Sequence, residues 1–411
     1  MLKVLILSQY YPPEVGAPQN RLASLVMNLK AQGAEVEVLT ATPNYPALTV
    51  MRGYKNQLRR TTEDLEGVSV HRVPILLPKT KNTLTRLITY FSFCLSVLIF
   101  TKRTDKFDFI LCESPPLFLG IPGLLLCRRY KSKLVFNVSD LWPESVKALG
   151  VITNPILLEA AYALEKFIYE RSISILGQTE SICRDIKARF PAANPVFFPN
   201  GVDTSQFSDS AIKDGSAVNL RIGDKVTFFY AGILGHAQGL EVIIKAREHL
   251  RSAENEVYQG SAFVIFGDGP EKGALQALNE NSGTDVIFVD SIPRAQLLAT
   301  LATLHVGIVP LRQNALFEGA IPSKIFDSLA LGKPVLLGVD GEAKAKFIDQ
   351  VQCGMYVRPE DHVALAAAVK RLTNNESLRN ELGQNGKLMV AQQYDRGEIA
   401  LNIKSHLESL K

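Results

Sequence analysis

In the C-terminal half of the chain, Lys324 and Asp327 stand three positions apart within Glu318-Gly319-Ala320-Ile321-Pro322-Ser323-Lys324-Ile325-Phe326-Asp327. Pro322 and Ser323 read as a helix start, so Lys324 places an ammonium at that end and Asp327, one turn on, faces the same side. A cation for a diphosphate and a carboxylate for ribose hydroxyls then share one turn, which is what a nucleotide requires. A solvated Lys–Asp pair has the same spacing and stays open as the alternative. Two glycine-rich turns precede this segment. Tyr230-Ala231-Gly232-Ile233-Leu234-Gly235-His236 runs from an apolar strand towards a helix, an arrangement that offers backbone N–H groups to phosphate. Phe266-Gly267-Asp268-Gly269-Pro270 repeats it, with backbone bare enough to border a flat base, although a tight turn alone would look the same.

The first half carries two further constellations. Ser8 to Arg21 is a loop with Pro12, Pro13 and Gly16 that leads straight into a helix, whose free N–H groups and dipole can receive negative charge. Gly16 permits close backbone approach there and Arg21 offers a full charge; an ordinary strand-to-helix turn is the alternative. No G-x-G-x-x-G follows the strand, so it is not a dinucleotide fingerprint. Asn137 to Ser145 ends an apolar strand in Asp140, Trp142 (the only Trp) and Glu144. Both carboxylates are candidates for general base work or for a sugar hydroxyl, against a helix-capping role for Asp140.

The elements that must position these groups alternate. Apolar runs at Lys3–Leu7, Glu35–Thr40, Val68–Val73, Phe109–Cys112 and Lys133–Val138 predict strands, with helices over Asn20–Lys30, Pro116–Arg128 and Pro155–Tyr169. A polar stretch, Ser208–Asp224, reads as a linker. A second alternation follows, with strands at Val226–Tyr230, Ala262–Phe266, Val286–Val289, Val306–Val309, Pro334–Leu337 and Met355–Val357, and helices at Gly239–Arg251, Arg294–Thr300, Lys324–Ala330 and His362–Leu372. Short apolar strands between helices predict parallel, doubly wound sheets whose ligands lie at the carboxyl ends of strands. We expect residues 1–200 and 201–390 to form two Rossmann-like α/β domains facing a central cleft, with 391–411 a helix returning to the first.

A chain of 411 residues agrees with two domains, and 46% hydrophobic with 21% charged residues marks a globular protein. The net charge of +4 is too small to point to nucleic acid. Five cysteines without a C-x-x-C predict reduced thiols and a cytoplasmic location. The opening MLKVLILSQYYPP reads as a strand and not as a cleaved leader. Leu87–Phe100, the longest uncharged run, falls short of the roughly 20 residues of a spanning helix. It is bracketed by Lys79, Lys81 and Arg86 before it and Lys102, Arg103 and Lys106 after it, so residues 79–106 are either a core helix or a peripheral contact with an anionic membrane.

Taken in order, the Gly-Ala-Pro-Gln-Asn-Arg, Asp-Leu-Trp-Pro-Glu-Ser and Pro-Ser-Lys-Ile-Phe-Asp blocks, with Phe198-Pro199-Asn200-Gly201-Val202-Asp203 and Gly267-Asp268-Gly269-Pro270, resemble the GT-B retaining glycosyltransferases of family 4. Within that family they are similar to the bacterial subgroup that builds capsule, O-antigen or colanic-acid repeats. The resemblance spans almost the whole chain. It implies transfer of a sugar, an N-acetylated amino sugar among the candidates, from a nucleotide-diphosphate donor, UDP first, to a polyprenyl-diphosphate-linked glycan with retained configuration. No metal and no other cofactor is implied. Carried over, Gly16 meets the donor phosphates, Asp140 with Glu144 sits near the reacting sugar, and Gln19, Asn20, Arg21 and Trp142 face the acceptor. Gly232, Gly235, Gly267, Asp268, Gly269, Pro322, Ser323, Lys324 and Asp327 hold the nucleotide. The chain departs from the pattern where Ile233 and Gln238 replace the usual Arg and Lys, leaving Lys324, Arg312 or His236 to supply charge. It departs again where Gly319, beside Glu318, breaks the Glu-x7-Glu spacing that Asp327 completes. A nucleotide-sugar epimerase and a catalytically silent scaffold are the rival readings, with a NAD oxidoreductase behind them for want of a dinucleotide motif.

Overall fold

The computed structural model describes residues 1–45, 47–78, 83–101, 106–148, 154–208, 216–314 and 317–411. The chain divides into two compact units, Met1–Asn200 with Arg396–Lys411, and Gly201–Asp395. Of the predicted linker, residues 209–215 lie outside the described residues, as do Lys79, Lys81, Lys102 and Arg103 of the cations bracketing Leu87–Phe100.

The first unit is an eight-stranded sheet in the order β3-β4-β2-β1-β5-β6-β7-β8. Its strands are β1 (Lys3–Leu7), β2 (Glu35–Ala41), β3 (Thr61–Leu65), β4 (Val68–Val73), β5 (Phe109–Ser114), β6 (Lys133–Val138), β7 (Ser174–Gly177) and β8 (Pro195–Phe197). All neighbours are parallel except β3 and β4, a hairpin turned by Glu66 and Gly67, both at positive φ. Alternation splits each strand between two cores. Leu5 and Leu7 face a layer built by Phe93 and Val97 of helix Thr83–Phe100, Leu126 of helix Gly120–Tyr130, Ile168 of helix Pro155–Tyr169 and Ile182 of helix Glu180–Arg189. Val4 and Ile6 face Leu22, Leu25 and Leu29 of helix Ala17–Ala31, together with Ile399, Ile403 and Leu407 of helix Arg396–Ser409.

The second unit is an entirely parallel six-stranded sheet, β11-β10-β9-β12-β13-β14. It comprises β9 (Val226–Ala231), β10 (Ser261–Phe266), β11 (Ile287–Val289), β12 (Val306–Pro310), β13 (Val335–Gly338) and β14 (Gly354–Tyr356). The expectation of two doubly wound α/β sheets is met. Several details differ. Strands β3, β7 and β8 and helices Glu180–Arg189, Lys272–Asn281 and Glu376–Gln393 were not foreseen, and the predicted Pro116–Arg128 helix is a short 3-10 turn at Leu117–Leu119 followed by a helix from Gly120 to Tyr130. The expected strand from Val286 begins one residue later, because Val286 is tied through its backbone to Asn279.

Candidate functional site

In the second unit the two glycine-rich turns are laced together. Gly232 donates its N–H to the Phe266 carbonyl at 3.0 Å, Leu234 to that of Asp268 at 2.9 Å, and Glu271 to that of Leu234 at 2.9 Å. Gly267 has φ +132°, and a Cβ there would lie 1.9 Å from the Gly232 oxygen; at Gly269, φ +158°, a Cβ would come within 2.4 Å of the Leu234 oxygen. Only glycine fits such an approach of backbone to backbone. Beside the turns lies a pocket of about 230 Å3, walled by Gly232, Ile233, Phe266, Gly267, Asp268, Asp290, Ser291, Ile292 and Leu297. Asp268 is exposed and accepts the Gly269 N–H at 2.8 Å. Gly235 precedes the short turn His236–Gln238.

Lys324 and Asp327 lie on helix Lys324–Ala330, held in place by the buried Ile325, Phe326 and Leu329. Lys324 packs its chain on Gly232, where a Cβ would stand 2.2 Å from its Cε, and its Nζ is 5.3 Å from the centre of the Tyr230 ring. Burial pushes its ammonium below the usual value, only partly offset by Asp327. Asp327 receives a two-pronged contact from Arg294, Nη1 to Oδ2 and Nη2 to Oδ1, each 2.7 Å. Sequence reasoning missed Arg294 and the wall at Asp290–Ile292. Pro322 and Ser323 form the turn before Lys324, their carbonyls accepting from Ile325 and Phe326, and the Ser323 side chain caps nothing. Arg312, a candidate for spare charge, is committed: it pairs with Glu241 at 2.6 Å and Glu360 at 3.1 Å and donates to the His236 carbonyl. The exposed Glu318 holds the loop at Gly341–Glu342 through its own carbonyl, which accepts from Glu342 at 2.7 Å.

In the first unit the loops at the carboxyl ends of the strands are tied from below. Glu14, buried, accepts backbone N–H groups from Tyr11 (3.1 Å), Asn44 (2.7 Å) and Tyr45 (2.8 Å), fixing the loop after β1 against the one after β2. Burial nevertheless raises its carboxyl above the ordinary range. Gly16 immediately precedes helix Ala17–Ala31, and its carbonyl accepts from Asn20 at 3.0 Å. Gln19 is buried against Gly16, whereas Asn20 is exposed.

Arg21 corrects the expectation of a free cation facing an acceptor. It is buried and spent on Glu113 (2.7 Å), Gln178 (2.8 Å), Asn200 (3.3 Å) and Ser139 (2.5 Å). A buried guanidinium must be paired, and these partners leave it no reach to a ligand. Asp140 opens to solvent just past β6, and the protein around its carboxyl raises it above the usual value, partly offset by the Ser145 hydroxyl and the Leu141 N–H. Glu144 accepts from the Tyr162 hydroxyl at 2.7 Å. Trp142 meets Phe118 edge-on at 6.5 Å, and Phe118 stacks at 4.4 Å on Phe91 of helix Thr83–Phe100.

That helix has one face in the core and one face exposed. Phe93 and Val97 are core, while Ile88, Phe91, Leu95 and Ile99 recur every three or four residues on an exposed face. Among the described residues no helix is long and apolar enough to cross a membrane.

Two Rossmann-like α/β sheets, parallel but for the β3–β4 hairpin, the second with glycine turns after β9 and β10 and a lysine and a carboxylate on the helix between β12 and β13, have the architecture of a GT-B glycosyltransferase. The chain belongs to the group 1 glycosyltransferases: residues 16–201 match the family Glycosyl transferase 4-like domain and residues 213–389 the family Glycosyl transferases group 1. It is 25% identical to the putative colanic acid biosynthesis glycosyl transferase WcaI of Escherichia coli K12, over 90% of this chain and 92% of that one. Among solved structures, sucrose-phosphate synthase of Thermosynechococcus elongatus superposes with TM-score 0.73 at 16% identity, covering 100% of this chain and 99% of that one. HepE of Anabaena, solved with UDP and glucose, gives TM-score 0.70 at 16% identity over 100% of both chains.

Proposed function

We propose that this enzyme transfers a sugar, with retention of configuration, from a UDP-sugar held by residues 201–390 to a polyprenyl-diphosphate-linked glycan held by residues 1–200, in the assembly of a surface polysaccharide. The observation that carries the reading is the grouping of Lys324, Gly232 and the Arg294-held Asp327 beside the Gly232–Asp268 pocket. The base occupies the pocket, a ribose hydroxyl bonds Asp327, and the diphosphate meets Gly232 and Lys324. There the ammonium stabilises the negative charge that develops on the leaving group, without a metal ion. Within residues 1–200, Gly16 offers an N–H to phosphate, Asp140 serves the sugar, and Glu144, Gln19, Asn20 and Trp142 border the acceptor. The likeness to WcaI supports a surface-polysaccharide role, and the UDP and glucose bound by HepE support the donor class.

The same reading places the enzyme on the cytoplasmic face of the membrane. The exposed apolar row Ile88, Phe91, Leu95 and Ile99, with the exposed Arg86 and Lys106 near the helix ends, suits an anionic lipid surface. Phe118 links that row to Trp142, so a lipid-borne acceptor would arrive beside the sugar-binding loops.

Calorimetric titration of UDP and GDP tests the donor site. Selective UDP binding that weakens by about tenfold or more in Asp327→Ala supports it, and equal binding by the variant refutes it. Sedimentation with phosphatidylglycerol liposomes at low salt tests the membrane contact, which fails if wild type stays in the supernatant or if Phe91→Glu/Leu95→Glu sediments as wild type does.

A further inference from the structure

Asp327 carries a short side chain, and a carboxylate one methylene from its backbone reaches a ligand only if both helix and rotamer are fixed. The helix is fixed by burial of Ile325, Phe326 and Leu329. The rotamer is fixed from outside the helix by the Arg294 fork, whose two contacts are each 2.7 Å. Arg294 is itself held: it opens helix Arg294–Ala302, whose Leu298 and Leu301 are buried, and its guanidinium carbon sits 5.9 Å from the centre of the ring of the buried Phe207. The residues on either side of it, Asp290, Ser291, Ile292 and Leu297, line the adjoining pocket. One short stretch of chain therefore builds a wall of the pocket and aims the carboxylate next to it.

We infer that Arg294 is a positioning residue that presents Asp327 to the ribose of the donor and sets a preference for ribonucleotides over 2′-deoxyribonucleotides. The inference rests on the reading of Asp327 as the ribose partner. An ionised carboxylate has about four lone-pair sites, and a guanidinium fork takes one on each oxygen. One site per oxygen remains, pointing away from the arginine, and these two sites diverge, so that one of them accepts from a single ribose hydroxyl, the 2′-hydroxyl. Without the fork the carboxylate turns freely and must be ordered by the ligand at an entropic cost. A lysine cannot replace it, because a point charge does not hold both oxygens in one plane.

The test is titration of UDP and 2′-deoxy-UDP into the full-length wild type, Arg294→Ala, Arg294→Lys and Asp327→Ala. Wild type is expected to favour UDP by about tenfold or more, the worth of a hydrogen bond to a charged group. Both Arg294 variants are expected to lose most of that preference, approaching Asp327→Ala, while all four proteins bind 2′-deoxy-UDP with similar affinity, which also shows that the site still folds. If Arg294→Ala keeps the wild-type preference while Asp327→Ala loses it, the fork is only structural and the inference falls. If Asp327→Ala keeps the preference, or wild type has none, the ribose reading of Asp327 falls and takes the inference with it.

Discussion

Arg21 and Glu113 form a buried ion pair, with Nη2 of the arginine 2.7 Å from Oε1 of the glutamate and both side chains almost wholly out of solvent. The guanidinium reaches three further partners, and they come from separate places: Ser139 follows β6, Gln178 follows β7 and Asn200 follows β8. Glu113, at the end of β5, also accepts from Asn137 at 2.5 Å and from the Ser139 hydroxyl. One cation thus gathers the carboxyl ends of four neighbouring strands, the edge on which Asp140 stands.

Glu113→Ala should consequently destabilise the first unit by about 3–5 kcal/mol, because it leaves a buried guanidinium without its counter-charge. Glu113→Gln, which keeps an acceptor oxygen, should cost less. Denaturant unfolding followed by a probe in the first unit measures both, since a chain of two units need not unfold in one step. A loss below about 1 kcal/mol for the alanine variant would mean that water reaches Arg21.

The difference between Arg21 as expected and as found shows which part of the site was legible. A cation near a helix start reads as a ligand contact, but what disposes of it lies 92, 157 and 179 positions away, and no local pattern contains those distances. Arg294 was hidden in the same way, 33 positions from Asp327. Strand β6 and helices Pro155–Tyr169 and Lys324–Ala330 were legible to the residue, because continuous apolar runs and the prolines at or before helix starts are local signals. β3 was not. Thr61–Leu65 is an edge strand with no buried face, so Thr-Thr-Glu-Asp-Leu carries no apolar alternation to find. The glycine turns were legible as turns; their lacing into one another was not.

That lacing makes Gly267 intolerant of any side chain. In Gly267→Ala the new Cβ would lie 1.9 Å from the Gly232 oxygen, against backbone that cannot step aside like a side-chain end, at a φ of +132° that L residues rarely adopt. The two turns must separate, and the pocket wall they share with Phe266 opens. UDP affinity should fall by about tenfold or more, with a stability loss of about 1–3 kcal/mol from backbone strain. Gly273→Ala is the control, since nothing lies within 4 Å of a Cβ there. Equal UDP binding by the two variants would separate the turns from the nucleotide site.

Asp140→Asn divides stability from activity. The folded protein raises the Asp140 carboxyl above 3.8, so the fold favours the protonated form. Its contribution to stability is present at low pH and is lost as pH rises above 3.8 through the raised value. At pH 7 a neutral isostere should therefore leave the unfolding midpoint unchanged or slightly higher. Turnover should fall by about 10²- to 10⁴-fold if the carboxylate serves the reacting sugar. Thermal unfolding beside sugar-transfer assays checks both, and a variant with wild-type turnover would remove Asp140 from the chemistry.

Lys324 gives the opposite sign and a test of the leaving-group role. Burial, its largest influence, lowers the ammonium below 10.5, so the folded, ligand-free protein releases this proton more readily than the unfolded chain does. Its stability contribution is lost as pH falls from 10.5 through the lowered value, and at pH 7 the charge is held at a cost. Lys324→Met should accordingly leave the ligand-free second unit no less stable. A bound diphosphate reverses the balance by supplying the missing counter-charge, so it must raise the lysine's affinity for its proton. Wild-type UDP binding should then weaken as pH rises towards 10.5, with proton uptake visible as a dependence of the binding heat on the buffer's ionisation enthalpy. In Lys324→Met both the alkaline slope and the uptake should vanish, and affinity at pH 7 should be lower by about tenfold or more. Wild-type affinity in that variant would mean that the diphosphate is neutralised elsewhere, and Arg312, committed to Glu241 and Glu360, would first have to break those pairs to do it.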